Sequence, residues 1–246
     1  MSLHFEPPVV PLGALSSALQ AHGHACLAPA DVALWSGVPL SGLDALQPSW
    51  GDLPSDNYLK DGGRYRRRRH SSYRVTGTRL EQVPHRAHWQ PVSYNALHGG
   101  MERWFEPVEP VVSASEAWQR LLIATAAVAT GLRGEQPWYL EAHQFRIDTT
   151  DGIGRPTPEG AHRDGVDLVV VFMVGRHLIK GGESRVFAAD GPQGQRFTLT
   201  QPWSVLLLDD TRVIHETTPI QPLAPDQVGW RDTLVLTCRA GGFQDA

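Results

Sequence analysis

Hydrophobic residues are spaced differently in the two halves of this 246-residue chain. Near the start, Leu12, Leu15 and Leu19 recur at three- and four-residue intervals and the run stops at Gly23, which predicts a short amphipathic helix with a glycine terminator. Residues 42–62 are rich in Pro, Gly, Ser and Asp and predict an irregular excursion. The stretch RYRRRRHSSYRV, Arg64 to Val75, alternates like a strand but carries too much charge for one buried on both faces. The clearest helix follows Ser113. Ser113 and Glu116 have capping-box spacing, and Trp118, Leu121, Leu122, Val128 and Ala129 form an apolar stripe that is interrupted by Thr125 and stops at Gly131.

From Trp138 onward the pattern changes to short apolar, β-branched runs: WYLEAHQFRI, VDLVVVFMV, SRVFAA, RFTLT, WSVLLLDD, TRVIHETTPI and DTLVLTCR. Gly, Pro and Asp clusters separate them, as in a sandwich or barrel of antiparallel strands. The expected fold is mainly β, of the α+β kind. It is a single domain with helical and irregular support over about residues 1–135 and a β core over about 136–242.

Composition narrows the classes. At 41% hydrophobic and 20% charged the chain can build a sizeable core. A formal net charge of −4 gives no global field to gather nucleic acid or an anionic membrane, so neither is expected as a partner, whereas a homo-oligomer is compatible with it. Cys26 and Cys238 lie far apart in no CxxC arrangement, and no stretch has the length and apolarity of a membrane span, which makes the cytoplasm the expected compartment.

Candidate chemistry centres on PEGAHRDGVDLVVV. In an extended chain residues i and i+2 share a face, so His162 and Asp164 can converge on one point while Arg163 turns away. His215, at the end of the run VLLLDDTRVIH, is the best third group. Two imidazoles and one carboxylate on one face of an octahedral ion form the facial triad of iron(II) oxygenases. Arg231 and Thr233 share a face of the next strand and offer a guanidinium and a hydroxyl to a carboxylate.

The segments PTPEGAHRDGVD, GGES, LDDTRVIHETTPI and GWRDTLVLT, in that order, resemble the bacterial 2-oxoglutarate/iron(II) dioxygenases typified by L-isoleucine 4-hydroxylase, which hydroxylate free amino acids. The resemblance covers residues 138–240 firmly, extends to QPVSYNALHGGMERWFEP, and is faint over residues 1–60. It implies a double-stranded β-helix (jelly-roll) core with flanking N-terminal helices. It also implies Fe(II), 2-oxoglutarate and O2 as cofactor and co-substrates, a metal held by His162, Asp164 and His215, and 2-oxoglutarate anchored by Arg231 with Thr233.

A free L-amino acid needs partners for a carboxylate and an ammonium. Arg64, Arg66, Tyr94 and Asn95 are the candidates for carboxylate capture and a lid, Glu159 and Asp167 for the ammonium. His143 and Arg146 lie on opposite faces of one strand, and Arg146 is taken as the inward one. His70, His85, His88, His98 and His177 are expected at the surface or behind the site. Two other readings stand beside this one: an oxygenase acting on nucleic acid or protein through the run Arg66 to Arg69, and a metal-binding cupin that is not an oxygenase.

Overall fold

Successive residues of a strand point to opposite faces of its sheet, and that alternation decides what surrounds the site. The computed structural model describes residues 5–95 and 97–245. Its strands are β1 (His24–Leu27), β2 (Arg66–Thr76), β3 (Arg79–Gln82), β4 (Trp138–Asp148), β5 (Leu168–His177), β6 (Ile179–Gly181), β7 (Ser184–Ala188), β8 (Gly194–Phe197), β9 (Val205–Asp209), β10 (Val213–Thr217), β11 (Ile220–Pro222) and β12 (Trp230–Ala240). They form a large antiparallel sheet in the order β1-β9-β5-β12-β4-β2-β3, a small sheet β10-β7-β8 and the pair β11-β6. The whole is a double-stranded β-helix.

The outer face of the large sheet is covered by helices. These are α1 (Leu15–His22), α2 (Pro29–Ser36), α3 (Leu40–Asp44), α4 (Pro110–Ser113) and α5 (Glu116–Arg133). Trp118, Leu121, Leu122, Ala126 and Ala129 of α5 pack on Leu140 and Ala142 of β4 and on Leu234, Leu236 and Cys238 of β12. Burying each large apolar side chain here contributes roughly 1.5–3 kcal/mol. A second, smaller core joins the inner face of the large sheet, through Val169, Met173, Leu206 and Leu208, to Val186, Phe197 and Val213 of the small sheet.

Several local expectations are corrected. The cap of α5 is Ser115, whose hydroxyl accepts from the Trp118 amide at 3.4 Å; Ser113 closes α4 instead. The helix runs past Gly131 to Arg133, and the Thr125 hydroxyl that broke the stripe donates to the Leu121 carbonyl at 2.8 Å. VLLLDDTRVIH is two strands, β9 and β10, with a turn between them. The N-terminal part supplies more than support: β1, β2 and β3 are strands of the large sheet, and β2 pairs along nearly its whole length with β4. Among the described residues no helix is long and apolar enough to cross a membrane.

The charge of β2 has a direct explanation. Arg66 and Arg68 point to the inner face, where both are buried, while Arg67 and Arg69 point outward to Asp148 and Glu109. The inner face of this part of the sheet borders a polar cavity instead of an apolar core. Register makes it a grid: Arg66, Ile147 and Arg231 lie abreast on β2, β4 and β12, followed by Arg68, Phe145 and Thr233, then His70, His143 and Val235, then Ser72, Glu141 and Thr237.

Candidate active site

His215 lies within β10, and a backbone bridge ties it to His162: His162 N–H donates to the His215 carbonyl at 3.0 Å, and His215 N–H returns the bond at 2.9 Å. The two rings are thereby held 4.7 Å apart. His162 Nδ1–H donates to the Gly160 carbonyl at 2.9 Å, so the bare nitrogen is Nε2, which lies 3.8 Å from Asp164 Oδ1. His215 Nε2 lies 3.6 Å from Asp164 Oδ2. One ligand atom from each of the three side chains lies within 4.8 Å of the other two, a spacing that can hold a metal ion.

The Asp164 loop is clamped from beneath. Asp210, in the β9–β10 turn and fully buried, accepts from the amides of Asp164 at 3.1 Å, Gly165 at 2.8 Å and Val166 at 3.1 Å. Gly165 has φ +77° and sits under the Tyr94 ring, where a Cβ would lie 2.5 Å from ring carbons, so the bend requires glycine. Above, Gln90 Nε2 donates to Asp164 Oδ1 at 3.0 Å, while Gln90 Oε1 accepts from Arg103 at 2.9 Å and Asn95 at 3.1 Å.

The two imidazoles are perturbed in opposite directions, and only His215 is held neutral by its surroundings. Burial, with His162 alongside, lowers His215 to about 3. Burial also lowers His162, but the carboxylates of Asp164 and Glu159 outweigh it and leave that ring raised. Burial raises the Asp164 carboxyl. A cation between these groups would displace the proton that the cluster otherwise holds.

From this centre the cavity runs along the grid, enclosing about 930 Å³ when the space at its mouth is included. Arg231 lines it, buried and with Nε and Nη2 unpartnered. Burial, together with the neighbouring Arg176, lowers this guanidinium to about 9, so it remains a cation at neutral pH. Thr233, two residues along β12, lines the same wall. Asp232, next to Arg231 in the chain, points to the outer face and pairs there with Arg146 at 2.7 Å.

A family model of 2OG-Fe dioxygenases matches residues 47–237, most of the chain. The chain belongs to the 2OG-Fe dioxygenase family. The crystal structure of a bsmA homolog from Methylobium petroleophilum PM1 is similar to the dioxygenase at 53% identity over 98% of both chains, with a TM-score of 0.92. Two more distant structures share its fold. IDO from Bacillus thuringiensis is 15% identical over 99% of this chain and 100% of its own, with a TM-score of 0.76. The Fe(II)/(alpha)ketoglutarate-dependent dioxygenase TqaL is 22% identical over 95% and 90%, with a TM-score of 0.73. No curated protein matches the dioxygenase in sequence. The family uses Fe(II), 2-oxoglutarate and O2, and the donor set fits them: two imidazoles and a carboxylate for iron, and an unpaired buried guanidinium for a dicarboxylate.

Of the other residues singled out in the sequence, Arg66, Asn95 and Glu159 line the cavity of the dioxygenase. Arg66 pairs through Nε with Asp56 at 2.7 Å while its Nη2 stays unpartnered, and Asn95 braces its own loop through Gln90 and the His98 amide. Four others lie elsewhere. Arg64 is at the surface with Asp151; Tyr94 backs the Asp164 loop from outside; Asp167 accepts from the Ala240 amide and faces Arg133; and Arg146 lies on the outer face. The inward residue of that pair on β4 is His143, since Arg146 shares parity with Leu140 and Ala142, which pack on the helices.

The sequence reading missed most of the buried polar wall of the cavity. Arg68, His88, Gln90, Arg103, Glu141 and His143 are all buried there and line the cavity. Parity on β4 was a usable signal, because an apolar even-numbered face assigns Glu141 and His143 to the other side. Gln90 and Arg103 come from irregular chain and carried none.

Proposed function

We propose that this dioxygenase oxidises a free L-amino acid, by hydroxylation or sulfoxidation, with His162, Asp164 and His215 as iron ligands. The observation that carries the reading is the pairing of unspent charges in one cavity. Arg231, buried and unpartnered, lies deep in it, and Glu159, whose Oε2 is buried without a partner, lies beside His162 Nε2 at 3.6 Å. Arg231, with the Thr233 hydroxyl, receives the distal carboxylate of 2-oxoglutarate, and Glu159 receives the substrate ammonium. When bound, iron with 2-oxoglutarate and O2 supplies the oxidising power that places one oxygen atom on the substrate, releasing succinate and CO2.

The chain's own groups do the rest. Gln90 and the Asp210 clamp orient the Asp164 carboxylate, and Gly160 fixes the His162 tautomer. Phe145, Ile147, Val171 and Val235 give the cavity an apolar lining that excludes water. The resemblance to the L-isoleucine 4-hydroxylase group supports a small amino acid as substrate. A polyanionic substrate finds no platform: Arg66 and Arg68 are internal, and Arg67 and Arg69 are engaged with carboxylates.

The test is an anaerobically loaded Fe(II) enzyme given 2-oxoglutarate and oxygen with each common L-amino acid. Succinate release coupled to a one-oxygen mass gain is expected for at least one of them, and an uncoupled panel would remove the amino-acid assignment. His162→Ala should abolish iron-dependent turnover while cooperative thermal unfolding persists, and full activity in that variant would reject the ligand role.

A further inference from the structure

His70, His88, Glu141 and His143 meet the spacing of a second metal site, and all four are buried. Their hydrogen bonds argue for something else. Glu141 Oε1 accepts from His70 Nε2–H at 3.1 Å and Oε2 accepts from His88 Nδ1–H at 3.0 Å. Arg68 donates to His143 Nδ1 at 2.7 Å, and Arg86 lies 3.6 Å from Glu141. A dication would have to displace these N–H groups from Glu141 with two guanidinium groups close by, which is electrostatically unfavourable. What the network does fix is protonation.

Burial alone would raise the Glu141 carboxyl, but the two imidazoles beside it hold it well below its ordinary value, so it is an ionised acceptor and has no proton to give. His88 therefore carries its hydrogen on Nδ1 and presents a bare Nε2. A guanidinium can only donate, so His143 Nδ1 is bare and its hydrogen sits on Nε2. Neither Nε2 has a hydrogen-bond partner among the described residues, both rings line the cavity, and their centroids are 4.7 Å apart. The wall thus offers one fixed acceptor beside one fixed donor.

We propose that His88 and His143 form a subsite for a carboxamide, and that the substrate carries one as an asparagine- or glutamine-like side chain or a peptide-type amide. A carboxamide has the complementary pair, an N–H and a carbonyl oxygen. A carboxylate turns a lone pair toward bare His88 Nε2, an ammonium turns a proton toward His143 Nε2–H, and an aliphatic chain leaves both nitrogens unsatisfied. Protonating His88 to accept a carboxylate is opposed by burial, which lowers that ring to about 3. The proposal rests on the reading that a small substrate lies in this cavity, and it sharpens that reading from amino acids in general to those bearing an amide.

Two sets of probes test it on the anaerobic Fe(II)/2-oxoglutarate enzyme. By calorimetry, L-glutamine or L-asparagine should bind roughly tenfold or more tightly than L-glutamate, L-aspartate and L-leucine. By ligand-observed NMR, propionamide should be preferred over propionate. His143→Phe and His88→Phe should erase the preference, and His143→Gln and His88→Gln, which keep a donor and an acceptor respectively, should restore part of it. The affinity for 2-oxoglutarate should stay unchanged throughout. Equal binding of leucine or of the acids by the wild type overturns the proposal without need of any variant. So does a second equivalent of bound metal that is lost in Glu141→Gln. If no amino acid binds but propionamide is still preferred in a His143-dependent way, the free-amino-acid reading fails and the amide subsite stands.

Discussion

Replacing Arg231 with methionine should make the protein more stable and its co-substrate binding far weaker, and the opposite signs are the point. In the folded chain this guanidinium is buried without a carboxylate partner, and burial brings it from 12.5 to about 9. Holding an unpaired cation there opposes folding by roughly 3–5 kcal/mol at neutral pH. Methionine removes the charge with little change in volume, so the unliganded variant should melt several degrees above the wild type. Truncating one member of a buried charge pair costs binding roughly 2–5 kcal/mol, or about 30- to 4,000-fold in the dissociation constant of 2-oxoglutarate. Thermal melts with and without 2-oxoglutarate read both quantities: the ligand should raise the wild-type midpoint and leave that of the variant unmoved. An affinity within threefold of wild type, or a variant that melts well below it, would refute the assignment of Arg231 as an unpaired anchor.

Gln90→Leu removes the side-chain donor to Asp164 Oδ1, and metal affinity measured by Mn(II) titration should fall roughly 10- to 100-fold; an unchanged affinity would mean that the amide does not orient the ligand. Asp232 is raised by burial, against the pull of Arg146, to about 6. A carboxyl with a raised folded value favours folding below its unfolded value of 3.8 and loses that contribution as pH climbs through 6. The stability of wild type relative to Asp232→Asn should therefore decline between pH 4 and 6, and a rising difference would reverse the sign of the argument. Trp118 is fully buried against the large sheet and donates to the Tyr73 hydroxyl at 3.0 Å. Trp118→Ala should cost roughly 3–5 kcal/mol in denaturant unfolding while leaving 2-oxoglutarate affinity intact.

Elements with a strong period were legible in the sequence. The stripe of α5 and the apolar runs of β4, β5, β9 and β12 announced themselves because one face of each packs in the main core. Arg231 and Thr233 could be assigned to one face by parity, and His162 and Asp164 by their spacing. β2 was harder: its inner arginines look like surface residues until the cavity they line is known. β1 and β3 have only four residues each, too few to show a period against their neighbours. Gln90, Asn95 and Arg103 sit in irregular chain, where position follows from partners distant in sequence. Arg146 was misassigned although it shares parity with Leu140 and Ala142 and so belongs to the outer face; only its partner there, Asp232, depends on the β4–β12 register.

The grid of β2, β4 and β12 divides the enzyme into parts with different freedom to vary. Arg231, Phe145 and Thr233 ride on backbones locked side by side by ladder hydrogen bonds, and further along the same strands Leu140, Ala142, Leu234 and Leu236 are sunk in the core. A slip of one residue in β4 or β12 would exchange Leu140, or Leu234 and Leu236, for cavity side chains, so this wall of the cavity resists drift as strongly as the fold itself does. Gln90 and Asn95 are held instead by loop contacts that single substitutions can redraw. A lineage could retune which molecule enters from that side through the contacts of Asn95, whereas any change at Gln90 would also reach the Asp164 carboxylate.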